Sequence, residues 1–188
     1  MVGRESFRKE SMKQQTWTFI DKTAWGGGLW QDEPDKVQWT DGATGLVCLA
    51  RRGPLGSWCG YVGIAPDHPL FEVEYSTCPT MCGADYCEHR PETALDVHGG
   101  ITYSDACQET EQPYGICHIP EPGQPDHVWW FGFDCAHAGD LVPGLFVDIR
   151  AYLPLLKPGS DIYRDLAYVQ AECRRLAAQL QALGNATT

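Results

Sequence analysis

Residues 129–140 read WWFGFDCAHAGD, and the last seven gather two acids, Asp134 and Asp140, an imidazole, His137, and a thiol, Cys135. Further upstream, DVHGG brings Asp96 and His98 just ahead of Gly99 and Gly100. Imidazoles and carboxylates are the donors that Zn, Mn and non-haem Fe take, and an open position on such an ion activates water. If the two segments adjoin, His98, Asp134, His137 and Asp140 form one cluster able to hold a divalent metal. Without a metal, the same groups make a polar pocket suited to acid–base work. Cys135 offers a third chemistry, a thiol nucleophile activated by His98 or His137 with Asp134 orienting the base. These five are the candidate catalytic residues. Asp96, Gly99, Gly100, Tyr103 and Trp130 are the candidate ligand contacts, the glycines because they let a ligand approach the backbone and Trp130 because its ring can stack on a base or sugar. Each group also has an ordinary role open to it: Asp134 as a turn acceptor, the histidines as satisfied buried groups, Cys135 as packing.

A second set lies in CPTMCGADYCEH. Cys78, Cys82, Cys87 and His89 have the spacing C-x3-C-x4-C-x-H within a Pro- and Gly-rich stretch. Such a loop has little apolar surface of its own, and one structural zinc would give it order. Cys107, Cys117 or His118 could replace one of the four, and a loop of free thiols is the alternative.

These groups need elements to position them. The chain has 188 residues, enough for one domain with a sizeable core. Residues 1–16 are polar and expected to be a disordered tail, leaving 17–188 as a single globular domain. Short β-rich runs separated by Gly- and Pro-containing turns predict an antiparallel meander, with no phosphate-binding glycine loop. The apolar run from Val128 to Phe133 predicts a central strand buried on both faces, neighbouring a strand through Asp96 and His98. Ile162, Leu166, Val169, Cys173, Leu176, Leu180 and Leu183 recur at spacings of four and three, predicting an amphipathic helix from Asp161, its cap, to Leu183. The expected class is therefore α+β, a mainly antiparallel sheet packed against a long C-terminal helix. That helix packs within the monomer or, alternatively, forms a homodimer.

A net charge of −11 argues against a nucleic-acid polymer as partner, since such binding needs Lys and Arg to displace counterions. It leaves room for a small anionic ligand in a locally positive pocket. The chain shows no secretory leader and no apolar run of the ~20 residues that a membrane span needs. A cytoplasmic protein is expected, with no membrane partner. Its nine cysteines would then serve metal binding or burial rather than a disulfide framework.

EPDKVQW, WCGYVGIAPDHPLF, DVHGGITYS, WWFGFDCAHAGD and YRDLAYVQAECRRLAAQL, in that order, resemble an uncharacterised family found in bacteria and their phages. The resemblance covers roughly residues 18–183, and WWFGFDCAH is its most specific part. It implies a shared core with His98, Gly99, Gly100, Asp134, Cys135, His137 and Asp140 in the motifs, and the host cytoplasm if the chain is phage-encoded. It carries no assigned reaction. Two function classes follow: a metal-assisted hydrolase acting on a small, nucleotide-like molecule, or a non-catalytic protein that sequesters a host signalling nucleotide.

Overall fold

In the computed structural model, residues 14–79, 88–108, 112–145 and 161–186 are described. Six strands form one antiparallel sheet: β1 (Gln15–Trp17), β2 (Lys36–Thr40), β3 (Val47–Arg52), β4 (Trp58–Ile64), β5 (Tyr103–Ala106) and β6 (Trp129–Asp134). Their order is β1-β2-β3-β4-β6-β5, so the first four make the expected meander and β6 inserts between β4 and β5. The described helices include the short α1 (Pro91–Ala94) and the long α2 (Leu166–Asn185), with two 3-10 turns at Thr23–Trp25 and Leu29–Gln31. This is an α+β fold. No helix among the described residues is long and apolar enough to cross a membrane.

Side chains alternate across a strand, and here the two faces have different covers. On one face Val37, Trp39, Cys48, Ala50, Trp58, Val62, Ile64, Phe131 and Phe133 pack against Val169, Cys173, Leu176, Ala177 and Leu180 of α2. The helix lies on β4 and β3, so the seam read from the sequence is spent within the monomer. Gly60 lets it come close, because a Cβ there would meet the Phe133 ring and the Cys173 sulfur. The other face carries Leu49, Tyr61 and Trp130 beneath Ile116 and Val128. The loop over that face is tied down by buried Lys36, whose ammonium donates to the Gly115 and Cys117 carbonyls at 2.9 and 2.8 Å. A disulfide joins Cys107 to Cys117. Composition predicts reduced thiols, but the loop returns on itself and brings the two Cα atoms to 4.9 Å, within disulfide reach.

Three boundaries differ from the sequence reading. The segment through Asp96 and His98 is not a strand: Gly99 and Gly100 both take positive φ (67° and 85°), which breaks extended pairing, and β5 begins only at Tyr103. The buried strand β6 is interior, paired on both sides, but lies one place from the edge. The long helix starts at Leu166, capped by Asp165 Oδ1 on the Tyr168 amide, and not at Asp161. Ile162 instead pairs with the backbone around Asp140, its N–H donating to the Gly139 carbonyl at 2.9 Å. That pairing holds residues 161–164 extended and carries the chain past the histidines before the helix begins.

Candidate functional site

The two motifs do meet, through a turn and a helix. After β6, the Asp140 amide donates to the His137 carbonyl at 2.9 Å, closing a turn that doubles the chain back. The segment holding His98 is clamped from α2: Glu172 Oε2 accepts from the His98 amide at 2.8 Å, and Gln179 brackets the Asp96 backbone by accepting from its N–H and donating to its C=O. Glu172 is in turn held by Arg175 Nη2 at 2.9 Å. Gly99 is required by close approach as well as by its φ, since a Cβ there would overlap the His137 imidazole.

At the centre His98 Nε2 lies 2.7 Å from Asp140 Oδ2, with the Asp140 side chain 1% exposed and that of His98 13%. Asp140 Oδ1 accepts from Arg164 Nε at 2.8 Å, and Oδ2 also accepts the His137 amide at 3.1 Å. Burial alone would push the Asp140 carboxyl up; the Arg164, His98 and His137 donors outweigh it and hold it below the usual carboxylate range. Asp140 is therefore ionised, and His98 places its Nε2–H on it. The other ring nitrogen, Nδ1, faces the Tyr168 hydroxyl at 2.9 Å.

A second imidazole–carboxylate pair stands beside the first. His137 Nε2 is 3.6 Å from Asp134 Oδ1, and both side chains are about one-third exposed, at 36% and 32%. Asp134 Oδ2 accepts from Thr102 Oγ1 at 3.0 Å and Oδ1 from the Ala136 amide at 3.0 Å, so this acid is fixed in orientation. The rings of His98 and His137 have centroids 5.7 Å apart. Four of the predicted residues thus come together, as two pairs rather than one ring of donors. Among the described residues no group of three or more His, Cys, Asp or Glu side chains is arranged to hold a metal ion. Arg164 already supplies the positive charge at Asp140 that a metal would bring.

The other predicted residues separate from this centre. Cys135 is buried in the helix-side core, and burial pushes its thiol far up, with Asp140 adding to the shift. A thiol held protonated in a core is a packing group and a poor nucleophile. Trp130 is fully buried and points to the opposite face of the sheet, edge-on to His118 at 5.6 Å, because residues flanking Phe131 alternate with it. Tyr103 packs edge-on against Tyr61 on that same face, at 5.4 Å. Asp96 is 84% exposed and pairs with Arg175 at the rim. Of the zinc set, Cys82 and Cys87 lie outside the described residues; Cys78 is disulfide-bonded, so zinc would need that bond reduced.

Sequence reasoning missed Arg164, Tyr168 and Glu172. Tyr168 and Glu172, four apart, lie on one side of α2 beside the apolar seam, and Arg164 precedes the helix cap. A polar row that mixes a cation, a phenol and an acid so close to the seam was the available signal. Arg164 also lies over the Tyr168 ring, with its guanidinium carbon 4.8 Å from the centroid. No protein-family model matches the chain, and no curated protein or solved structure gives a match.

Proposed function

We propose that the HGG and DCAHAGD segments bind a small polar, nucleotide-like ligand and hydrolyse it by acid–base chemistry. The observation that carries this reading is the pair of imidazoles 5.7 Å apart, each beside its own carboxylate. Such an arrangement lets one ring take a proton while the other gives one, and the buried Asp140 stabilises the imidazolium that forms on His98. His137 is one-third exposed with its Nε2 covered by Gly99, so its other ring nitrogen is the one that would meet the leaving group. A divalent ion held by Asp134 and His137, each about one-third exposed, is the metal-assisted form of the same chemistry.

The test is hydrolysis of a nucleotide and phosphodiester panel by wild type, His98→Gln and His137→Gln, with and without chelator. Loss of a positioned acid or base costs about 10²–10⁴-fold in rate, and each single variant should fall by that order. Turnover that vanishes on chelation and returns with Zn or Mn would establish the metal-assisted form. Turnover unchanged in both variants would remove the reading.

The second reading, a protein that sequesters a nucleotide without turning it over, is supported by Arg164. Its Nε is spent on Asp140, and no described residue accepts from its two terminal amino groups. A guanidinium fixed by one edge presents the other to an anion. Tight retention of a nucleotide, lost in Arg164→Ala and with no product formed, would favour it.

A further inference from the structure

We infer that Tyr168 is a nucleophile, primed by Asp140 and His98, that takes a phosphoryl group from a phosphate ester. The inference rests on the ligand site proposed above and names the group that attacks. It stands on the direction of two hydrogen bonds. Asp140 is ion-paired to Arg164 through Oδ1 and accepts the His137 amide at Oδ2, so it stands as an acceptor and the proton in the 2.7 Å contact belongs to His98 Nε2. A neutral imidazole then has its lone pair on Nδ1, and the 2.9 Å contact there requires the Tyr168 hydroxyl to donate. Carboxylate, imidazole and phenol therefore form one directed chain, with the phenol oxygen at its outer end. This is the order of parts that activates a hydroxyl nucleophile elsewhere, an acid orienting a base that holds the nucleophile's proton.

Three features hold the chain in that state. The Asp165 side chain caps α2 on the Tyr168 amide at 2.8 Å, fixing the residue in the helix's first turn. The ring lies edge-on to His98 at 5.5 Å, the orientation that puts its hydroxyl on Nδ1. Arg164 leans over the same ring, its terminal amino groups without a described acceptor, next to where an oxyanion would arrive. A phosphate ester is the substrate class that uses all of these: its anionic oxygens meet the guanidinium while its phosphorus meets the phenol oxygen.

The step balances without a further oxidant or reductant. The Tyr168 oxygen attacks phosphorus, its proton passes to His98 Nδ1, and the bond from phosphorus to the ester oxygen breaks. That oxygen leaves as an alcohol after taking a proton from solvent. Water then attacks the phosphotyrosyl group, the bond to the Tyr168 oxygen breaks, and the imidazolium returns its proton to the phenolate.

Diisopropyl fluorophosphate is the probe, because the same attack forms an O–P bond and expels fluoride. The full chain is labelled, and the modified tyrosines are mapped by mass spectrometry. Exposed Tyr114 serves as the internal reference. In wild type Tyr168 should label about a hundredfold or more faster than Tyr114, the low end of what a positioned base contributes. In His98→Gln and in Asp140→Asn it should fall to the Tyr114 rate, while Tyr114 itself is unchanged. Equal labelling of the two tyrosines in wild type, or a Tyr168 rate unaffected by both substitutions, would overturn the inference. Nucleotide hydrolysis by wild type that persists in Tyr168→Phe would also overturn it while leaving the two-imidazole reading intact. Loss of hydrolysis in His98→Gln but not in Tyr168→Phe separates the two in one experiment.

Discussion

Asp35 and Asp140 are both nearly sealed from solvent, both lie against an arginine, and both tie distant parts of the chain together. Around Asp35 the network closes on itself. One oxygen accepts the Phe19 and Ile20 amides at 2.7 and 2.8 Å, and the other faces Lys22 at 2.8 Å and Arg52 at 3.5 Å. Arg52 continues to Glu33 at 2.8 Å and to the Tyr163 hydroxyl at 2.7 Å, and Glu33 accepts the Leu166 amide at the start of α2. Its branches end on backbone or on buried and part-buried partners, and the Asp35–Arg52 contact is an ion pair without a hydrogen bond. Around Asp140 the branches run outward instead, to the Tyr168 hydroxyl, to the free edge of Arg164 and to the amide of one-third-exposed His137. A closed network of buried charge fastens a fold; an open one leaves groups whose remaining valence faces a ligand.

The sharpest way to break that contrast is to remove each arginine. Arg52→Ala should cost about 3–5 kcal/mol by chemical denaturation, since it strands Glu33 and Asp35. Arg164→Ala, 24% exposed, leaves the buried Asp140 with its His98 and His137 donors and should cost less, about 1–3 kcal/mol, while abolishing nucleotide retention. Equal losses would erase the distinction. Gly99→Ala comes next. A side chain at φ 67° that also overlaps the His137 ring should cost about 1–3 kcal/mol and shift the His137 imidazole resonances.

Acid sharpens the comparison further. Glu33, like Asp140, is pushed up by burial but held low overall by its donors, the Leu166 amide, Tyr163, Arg52 and Trp58. Both groups bind fewer protons folded than unfolded. Their stabilisation is therefore complete above the ordinary carboxylate range and is lost as pH falls through their depressed folded values, below about pH 4. Wild type should lose stability on that limb, and Asp140→Asn should flatten only its share, with the Glu33 part remaining. A limb equally steep in Asp140→Asn would mean that Asp140 is not held ionised. The smallest effect is expected at the cysteine-rich loop. We propose that Cys78, Cys82, Cys87 and His89, when reduced, take one structural zinc. Metal analysis should then find about one zinc per chain, lost in Cys82→Ser with almost no change in melting, because structural zinc orders its own loop. Zinc well below that ratio rejects the proposal.

How far the sequence reveals these features depends on whether the interactions are periodic or point-to-point. The seam of α2 and the apolar strand β6 were legible because burial on a regular element repeats every three to four or two residues. Pairing His98 with Asp140 was legible only as a conditional, since 42 residues separate them and nothing local fixes their distance. Reading DVHGGITYS as one strand failed because two positive-φ glycines turn the backbone out of extended pairing before Tyr103. Trp130 was misjudged for a related reason: alternation on β6 sends it to the face opposite His98. Arg164 and Tyr168 were missed because the helix was read from Asp161 to Leu183 by its apolar seam alone, while the chain stays non-helical until Leu166.

The most direct test is equilibrium retention of a mixed nucleotide pool by wild type, His98→Ala, Asp140→Asn and Arg174→Ala, read by mass spectrometry of the protein-bound fraction. Arg174 is exposed on α2, two residues from Glu172 and so on the other side of the helix, and controls for charge alone. At least one nucleotide should be retained by wild type and by Arg174→Ala, and lost from both site variants while their folds persist. Retention that is equal in His98→Ala and wild type, or absent from wild type throughout, would contradict the site.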